Sequence, residues 1–223
     1  MTQWAIAKVP TPLLNTPHFC FEGPLENGLL RSVETVLFPG TIVQLLEEVG
    51  NCIFKAHTEE YPYPPCFVDV RFLELKETKP QRKKGELPSK EEFLMTLRGL
   101  EGAKYIWGGC WPKGIPELSS LYPNPVHQFE GVDCSGLVRF ASKGLTPHRT
   151  SVLLNYGSPV EIEETLEKLQ SGDLIVWKGH VIVVLDKEHS IESIYPEGVV
   201  ISELKERFKK LPQGFVVRRF LTF

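Results

Sequence analysis

Cys134 stands in "GVDCSGLVRF" (131–140), flanked by an acid and a hydroxyl, Asp133 and Ser135, and followed by an apolar run with helical spacing. A thiol in the first turn of a helix sees the partial positive charge of unpaired N–H groups. That charge favours thiolate, and with a cation nearby it brings a cysteine pKa from about 8.5 down to roughly 3.5–7.5. Attack by such a sulfur requires a proton for the leaving group, and imidazole is the usual donor. Of the six histidines, His18 and His57 fall in the β-rich first part, His127 and His148 in loops, and His189 in a polar turn. His180 instead opens the strongly apolar "HVIVVLD". The residue types point to acyl transfer through Cys134 and His180. A histidine merely satisfied by a backbone carbonyl is the competing reading of His180.

These two groups need a helix and a strand to carry them. Ser89 with Glu92 forms a capping box, and Phe93, Leu94, Leu97 and Leu100 share one face, so a first helix is predicted over 90–101 with Gly102 as its stop. Leu137, Val138 and Ala141 make the apolar stripe of a second helix ended by Gly144. From 172 onward the pattern turns to strands: "DLIVW", a Lys178-Gly179 turn, "HVIVVLD", "SIESIY" and "VVIS", then a short helix "SELKERFKK" and a last strand "FVVRRFLTF". Helices first and antiparallel strands after define an α+β domain. The charged stretch 76–92 reads as a solvated linker, its cluster Arg82, Lys83 and Lys84 included. Before it, "ETVLFPGTIVQLLEEV", "NCIFKAH" and "CFVDVRFLEL" alternate with turn residues as in a small all-β barrel, with "TIVQLLEEV" taken as a strand. The expected organisation is a barrel at 1–78, a linker at 79–90 and the α+β domain at 91–223.

Composition excludes several classes. A net charge of −3 gives no electrostatic reason for nucleic acid or an anionic membrane as partner. No run reaches the roughly 18 apolar residues of a membrane span, and the first twenty residues lack a basic start and an apolar core, so a cytoplasmic enzyme is expected, with a periplasmic or wall-associated one exported by a non-Sec route as the alternative. Cys20, Cys52, Cys66, Cys110 and Cys134 are scattered without a CxxC pair, which predicts neither a disulfide framework nor a metal site, and no cofactor is expected.

"DCSGL" opening a helix, "SGDLIVW", and "GHVIVVLD" directly after it form an ordered series, joined by "YIWGG" at 105–109 and "PHRTSVLLNYG" at 147–157. Over about 90–200 the chain resembles the NlpC family of cell-wall cysteine peptidases, papain-like thiol hydrolases that cut γ-D-glutamyl bonds to the diamino acid of peptidoglycan stem peptides. The resemblance implies Cys134 as nucleophile and His180 as acid and base. Asp133 and Ser135 would hold the substrate, Asp133 facing its α-amine, while Tyr105 near the oxyanion and Trp107 would line the cleft. Arg149, Thr150 and Ser151 would meet carboxylates or backbone. Asp133 as a plain N-cap, Trp107 as core and Arg149 in a surface salt bridge are the competing readings.

The family usually orients its imidazole with a polar residue on the next strand, often a second histidine. That place is held here by Glu192, and a carboxylate there would fix the ring tautomer and favour imidazolium. A four-residue loop 186–189 would pair Glu192 with Val183, on the wrong sheet face. One residue of bulge would bring it to Ile182, with His189 as fallback orienter. The first domain looks like the bacterial SH3-like barrel that precedes many such peptidases, with Asp69 and Arg71 candidates for walling off the cleft, or simply alternating strand residues. The implied substrates are stem peptides with N-terminal L-Ala. Amidase or acyl-transfer chemistry on the same thiol, and a peptidoglycan-binding module with little turnover, are the alternatives.

Overall fold

The computed structural model describes residues 3–21, 25–27, 29–63, 65–81, 85–122, 128–162 and 166–221. His127 and the cluster Arg82, Lys83 and Lys84 lie outside them. In chain order the first part forms β1 (Gln3–Ala7), β2 (Thr11–Leu14), β3 (Val33–Leu37), β4 (Ile42–Gly50), β5 (Ile53–His57), β6 (Phe67–Asp69) and β7 (Leu73–Lys76). There follow α1 (Lys90–Arg98), β8 (Cys110–Trp111), α2 (Glu117–Leu121), β9 (Gly131–Val132), α3 (Cys134–Ala141), α4 (Thr150–Leu153) and β10 (Ser158–Pro159). The last part holds β11 (Leu174–Trp177), β12 (His180–Val184), β13 (His189–Ile194), β14 (Gly198–Glu203), α5 (Leu204–Phe208) and β15 (Val216–Arg219).

The chain divides into two compact units, residues 1–84 with 106–131, and residues 85–105 with 132–223. The first carries an antiparallel seven-stranded sheet of order β3-β2-β6-β5-β4-β1-β7. Its all-β character follows from short apolar runs cut by turn residues, and "TIVQLLEEV" is indeed strand, paired with β5 and β1. "DVRFLEL" is not one continuous strand: β6 ends at Asp69 and a single 3-10 turn at Val70–Phe72 precedes β7. Asp69 caps that turn by accepting from the Arg71 N–H at 2.9 Å. Its carboxylate also takes the Arg71 guanidinium and, at 2.5 Å, the Tyr122 hydroxyl. A fully buried carboxylate needs such partners. Residues 106–131, which follow the linker and were expected in the second domain, pack with the first unit. Ile106, Cys110, Ile115, Leu118 and Phe129 share one core with Leu14, Val33, Val36 and Phe72.

The second unit carries an antiparallel six-stranded sheet of order β10-β15-β11-β12-β13-β14. Alternation along the strands sorts its side chains into two layers. Val181, Val183, Leu185, Ile191 and Val199 pack with Phe93 and Leu97 of α1 and Leu137, Val138 and Ala141 of α3. Ile182 and Val184 face the other way, with Leu204, Phe208, Leu211 and Phe215 of the C-terminal part. The Ser89 hydroxyl accepts from the Glu92 N–H at 3.1 Å, and α1 ends at Arg98, short of the predicted 101, with Gly99 as its C-cap. Helix α3 runs from the Asp133 cap to Ala141, and Gly144 (φ +82°) returns its N–H to the Arg139 carbonyl, closing the end as the sequence suggests. Among the described residues no helix is long and apolar enough to cross a membrane.

Candidate active site

Two chain reversals build the site. The first is the turn Lys178-Gly179, where Gly179 takes φ +92° and sets His180 directly across from Trp177. The rings of Trp177 and His180 lie 4.9 Å apart. The second joins β12 to β13. Leu185 and His189 close it through a backbone hydrogen bond of 2.9 Å, so the loop is 186–188, one residue shorter than the expected 186–189. Val183 then faces Ile191, Val184 faces Ser190, and the same register sets Glu192 opposite Ile182, on the sheet face of His180. No bulge is needed. His180 Nε2 meets Glu192 Oε2 at 2.6 Å. His189 is engaged elsewhere, with Asp186 at 3.0 Å.

A residue absent from the sequence reading completes this side. Arg207 of α5 donates from Nε to Glu192 Oε1 at 2.5 Å and from Nη2 to Oε2 at 3.0 Å. Burial would raise the Glu192 carboxyl, but the bonds from His180 and Arg207 outweigh it and bring it down to about 2. Glu192 is therefore an ionised acceptor, and His180 donates its Nε2–H to it.

Cys134 reaches the same strand end from the α3 side. Its Sγ lies 3.9 Å from the Gly179 carbonyl, and the Val181 N–H is directed to it, so the sulfur touches backbone on both sides of His180. Among the described residues no hydrogen bond joins the thiol to the ring; contacts of this kind tighten when substrate is bound. The lowered pKa expected for a thiol at a helix start is not found. Burial, then the Asp133 charge beside it, push the thiol up and outweigh the N–H groups of Val181 and Ser135. The resting sulfur is a thiol.

Asp133 caps α3, its Oδ1 accepting from the Gly136 N–H at 2.7 Å and from the Ser135 hydroxyl at 3.0 Å. His148, read from sequence as a loop residue, is buried and meets the same oxygen through Nε2 at 3.1 Å. Burial would raise the Asp133 carboxyl; the charge and hydrogen bond of His148, with those from Gly136 and Ser135, lower it overall. His148 is brought there by "PHRTS", whose Arg149 stands at the N-cap position of the unforeseen helix α4, and both Arg149 and Ser151 are exposed. Tyr105 is half-buried with its ring 5.9 Å from that of Tyr195. Trp107 belongs to the first unit, where the Arg31 guanidinium stacks 3.8 Å over its ring. Among the described residues no cluster of His, Cys, Asp or Glu has the make-up of a metal site.

A cysteine at a helix start, set against an antiparallel sheet that carries a carboxylate-bound histidine, defines a thiol-hydrolase-like α+β unit of the papain type. The NlpC/P60 family model matches residues 102–217, over half of the chain, and the chain belongs to that family. It is similar to an NlpC/P60 family protein from Bacillus cereus, at 20% identity over 99% of this chain and 64% of that one, with a TM-score of 0.45. It is similar to the peptidoglycan hydrolase RipB from Mycobacterium tuberculosis, at 24% identity over 60% of this chain and 65% of that one, TM-score 0.45. RipD from the same organism, a non-catalytic NlpC/p60 domain protein, is 20% identical over 58% of this chain and 95% of its own, TM-score 0.42. The chain spans just under two thirds of the first two. No curated protein sequence matches it.

Proposed function

We propose that this protein is a peptidoglycan stem-peptide hydrolase, a cysteine endopeptidase that cuts the bond from γ-D-glutamate to a diamino acid such as meso-diaminopimelate. The observation that carries this reading is the convergence of the Cys134 sulfur and the Glu192-bound His180 on one end of β12. Because the thiol rests protonated, His180 acts as general base during attack: the proton leaves Sγ for Nδ1 as sulfur bonds to the γ-carbonyl carbon. The tetrahedral intermediate collapses with rupture of the C–N bond, and the same proton passes to the departing amine. Water then cleaves the thioester, giving one proton to His180 and from there to the thiolate. Tyr105 would sit beside the oxyanion. Ser135 and Asp133 hold the amine end, Asp133 through its charge while its Oδ1 stays committed to α3, and Arg149 and Ser151 contact carboxylate or backbone.

Peptides with N-terminal L-Ala, released from the wall and met in the cytoplasm, are the proposed substrates, with the all-β unit acting as an SH3-like neighbour. The test is mass spectrometry of the purified protein incubated with L-Ala-γ-D-Glu-meso-diaminopimelate-D-Ala and, in parallel, with intact peptidoglycan. L-Ala-D-Glu from the peptide alone is expected. Cleavage of intact wall would overturn the restriction to released peptides, and no cleavage of either would overturn the endopeptidase reading in favour of amidase, acyl-transfer or binding roles.

Glu192→Gln is expected to lower turnover about 10- to 100-fold, since an amide holds the tautomer but not the charge of the imidazolium. Steady-state kinetics against wild type checks this, and unchanged turnover would remove Glu192 from the site. Glu192→Ala is the poorer probe, because it also strands Arg207, whose side chain is only 16% exposed.

A further inference from the structure

We propose that Arg207 is a positioning residue for His180, acting through Glu192 to set both the aim of the imidazole and its readiness to take a proton. The inference rests on the hydrolase reading and deepens it. The guanidinium grips Glu192 at two points, at 2.5 and 3.0 Å, and one of the gripped oxygens, Oε2, is the atom that receives the His180 ring. A carboxylate held by a planar fork cannot rotate about its last bond without losing both contacts. Arg207 also lies 5.4 Å from the ring centroid of Trp177, whose ring packs against that of His180. It therefore backs the imidazole both through its hydrogen-bonded carboxylate and through the indole that packs at a tilt against it.

The charge argument follows from the same contacts. A lone buried carboxylate at 2.6 Å would hold His180 as imidazolium, which cannot accept the proton of a thiol that itself rests protonated. Arg207 offsets that charge, so Glu192 fixes the tautomer while leaving Nδ1 able to act as a base. Among the described residues, the titratable and charged groups that face His180 are Glu192 from β13, Arg207 from α5 through it, and the Cys134 thiol from α3 at the backbone on either side. Trp177 across β11, Ile182 on β12 and Val200, opposite Glu192 on β14, carry no charge, and Lys178 is exposed in the turn.

The test follows the imidazole directly, so it does not depend on which substrate is cleaved. In the full chain, the His180 ring is titrated by NMR in wild type, Arg207→Met, Arg207→Lys, Glu192→Gln and the double variant Arg207→Met with Glu192→Gln. The His180 midpoint is expected to rise by about one pH unit or more in Arg207→Met, in keeping with the size of shift a neighbouring charge produces. It should return most of the way in Arg207→Lys, and the double variant should match Glu192→Gln alone. On the tetrapeptide, kcat is expected to fall about tenfold with KM unchanged, and the acid limb of the profile should move to higher pH. A midpoint equal to wild type in a folded Arg207→Met protein would overturn the proposal. Should that variant fail to fold, Arg207→Gln carries the test, since it too lacks the charge and the two-point ionic grip, and a wild-type midpoint and turnover there would overturn the proposal equally. A wild type that cleaves no peptide defeats the hydrolase reading but leaves the His180 titration to decide the role of Arg207.

Discussion

Cys134→Ala is expected to abolish peptide cleavage, a loss of at least about 10⁴-fold in turnover, because the acyl-enzyme of the proposed mechanism forms on its sulfur. The fold should survive. The residue is small and buried at the first turn of α3, the cap is made by Asp133 rather than by the sulfur, and loss of Sγ should cost on the order of 1 kcal/mol. Kinetics of the variant, with its circular dichroism and melting curve beside wild type, checks both halves. Activity surviving the substitution would end the assignment of Cys134. The state of the thiol gives a further signature. Since burial and Asp133 push it up, alkylation of Cys134 by iodoacetamide, read on the peptide that contains it, should keep rising above pH 9. A plateau below neutral pH would mean a preformed thiolate and would contradict the general-base step.

What the sequence disclosed was local. "DCSGL" carries its own helix start, because an acid before an apolar periodic run is an N-cap and Asp133 makes that bond. "WKGH" is a two-residue hairpin by composition alone, which fixes His180 opposite Trp177. "YIWGG" needs its glycines for a reason no propensity reveals: Gly108 has φ +68°, and a Cβ there would stand 2.6 Å from the Val33 carbonyl. The register of Glu192 turned on one residue of loop length, because a polar turn does not show where its closing pair lies. Arg207 and His148 were missed because a charged residue on a short polar helix and a histidine in a loop normally face solvent. Both are decided by what the rest of the chain packs over them. The direction of the thiol shift was misjudged for the same cause. The helix start is visible in sequence, whereas the burial that outweighs it arises only when α3 lies on the sheet.

Asp133 is where stability and chemistry oppose each other most sharply. It caps the nucleophile's helix and pairs with the buried His148, yet its charge is a reason the thiol is hard to ionise. Asp133→Ala removes the cap and leaves His148 without its carboxylate, and a loss of about 3–5 kcal/mol is expected, the usual cost of breaking a buried pair from one side. Asp133→Asn keeps an acceptor for the Gly136 N–H and should lose less. The pH dependence separates charge from shape. The folded Asp133 carboxyl is lowered, so its contribution is fully present above the unfolded value near 4 and is lost as pH falls through the folded value. Denaturant unfolding at pH 7 and again below pH 4 should therefore show wild type and Asp133→Asn converging in acid. In the same variant the alkylation profile of Cys134 should move to lower pH, because the neighbouring negative charge is gone. A less stable protein with a more easily ionised thiol is the expected pair of results. An unmoved alkylation profile would show that burial alone holds the thiol protonated.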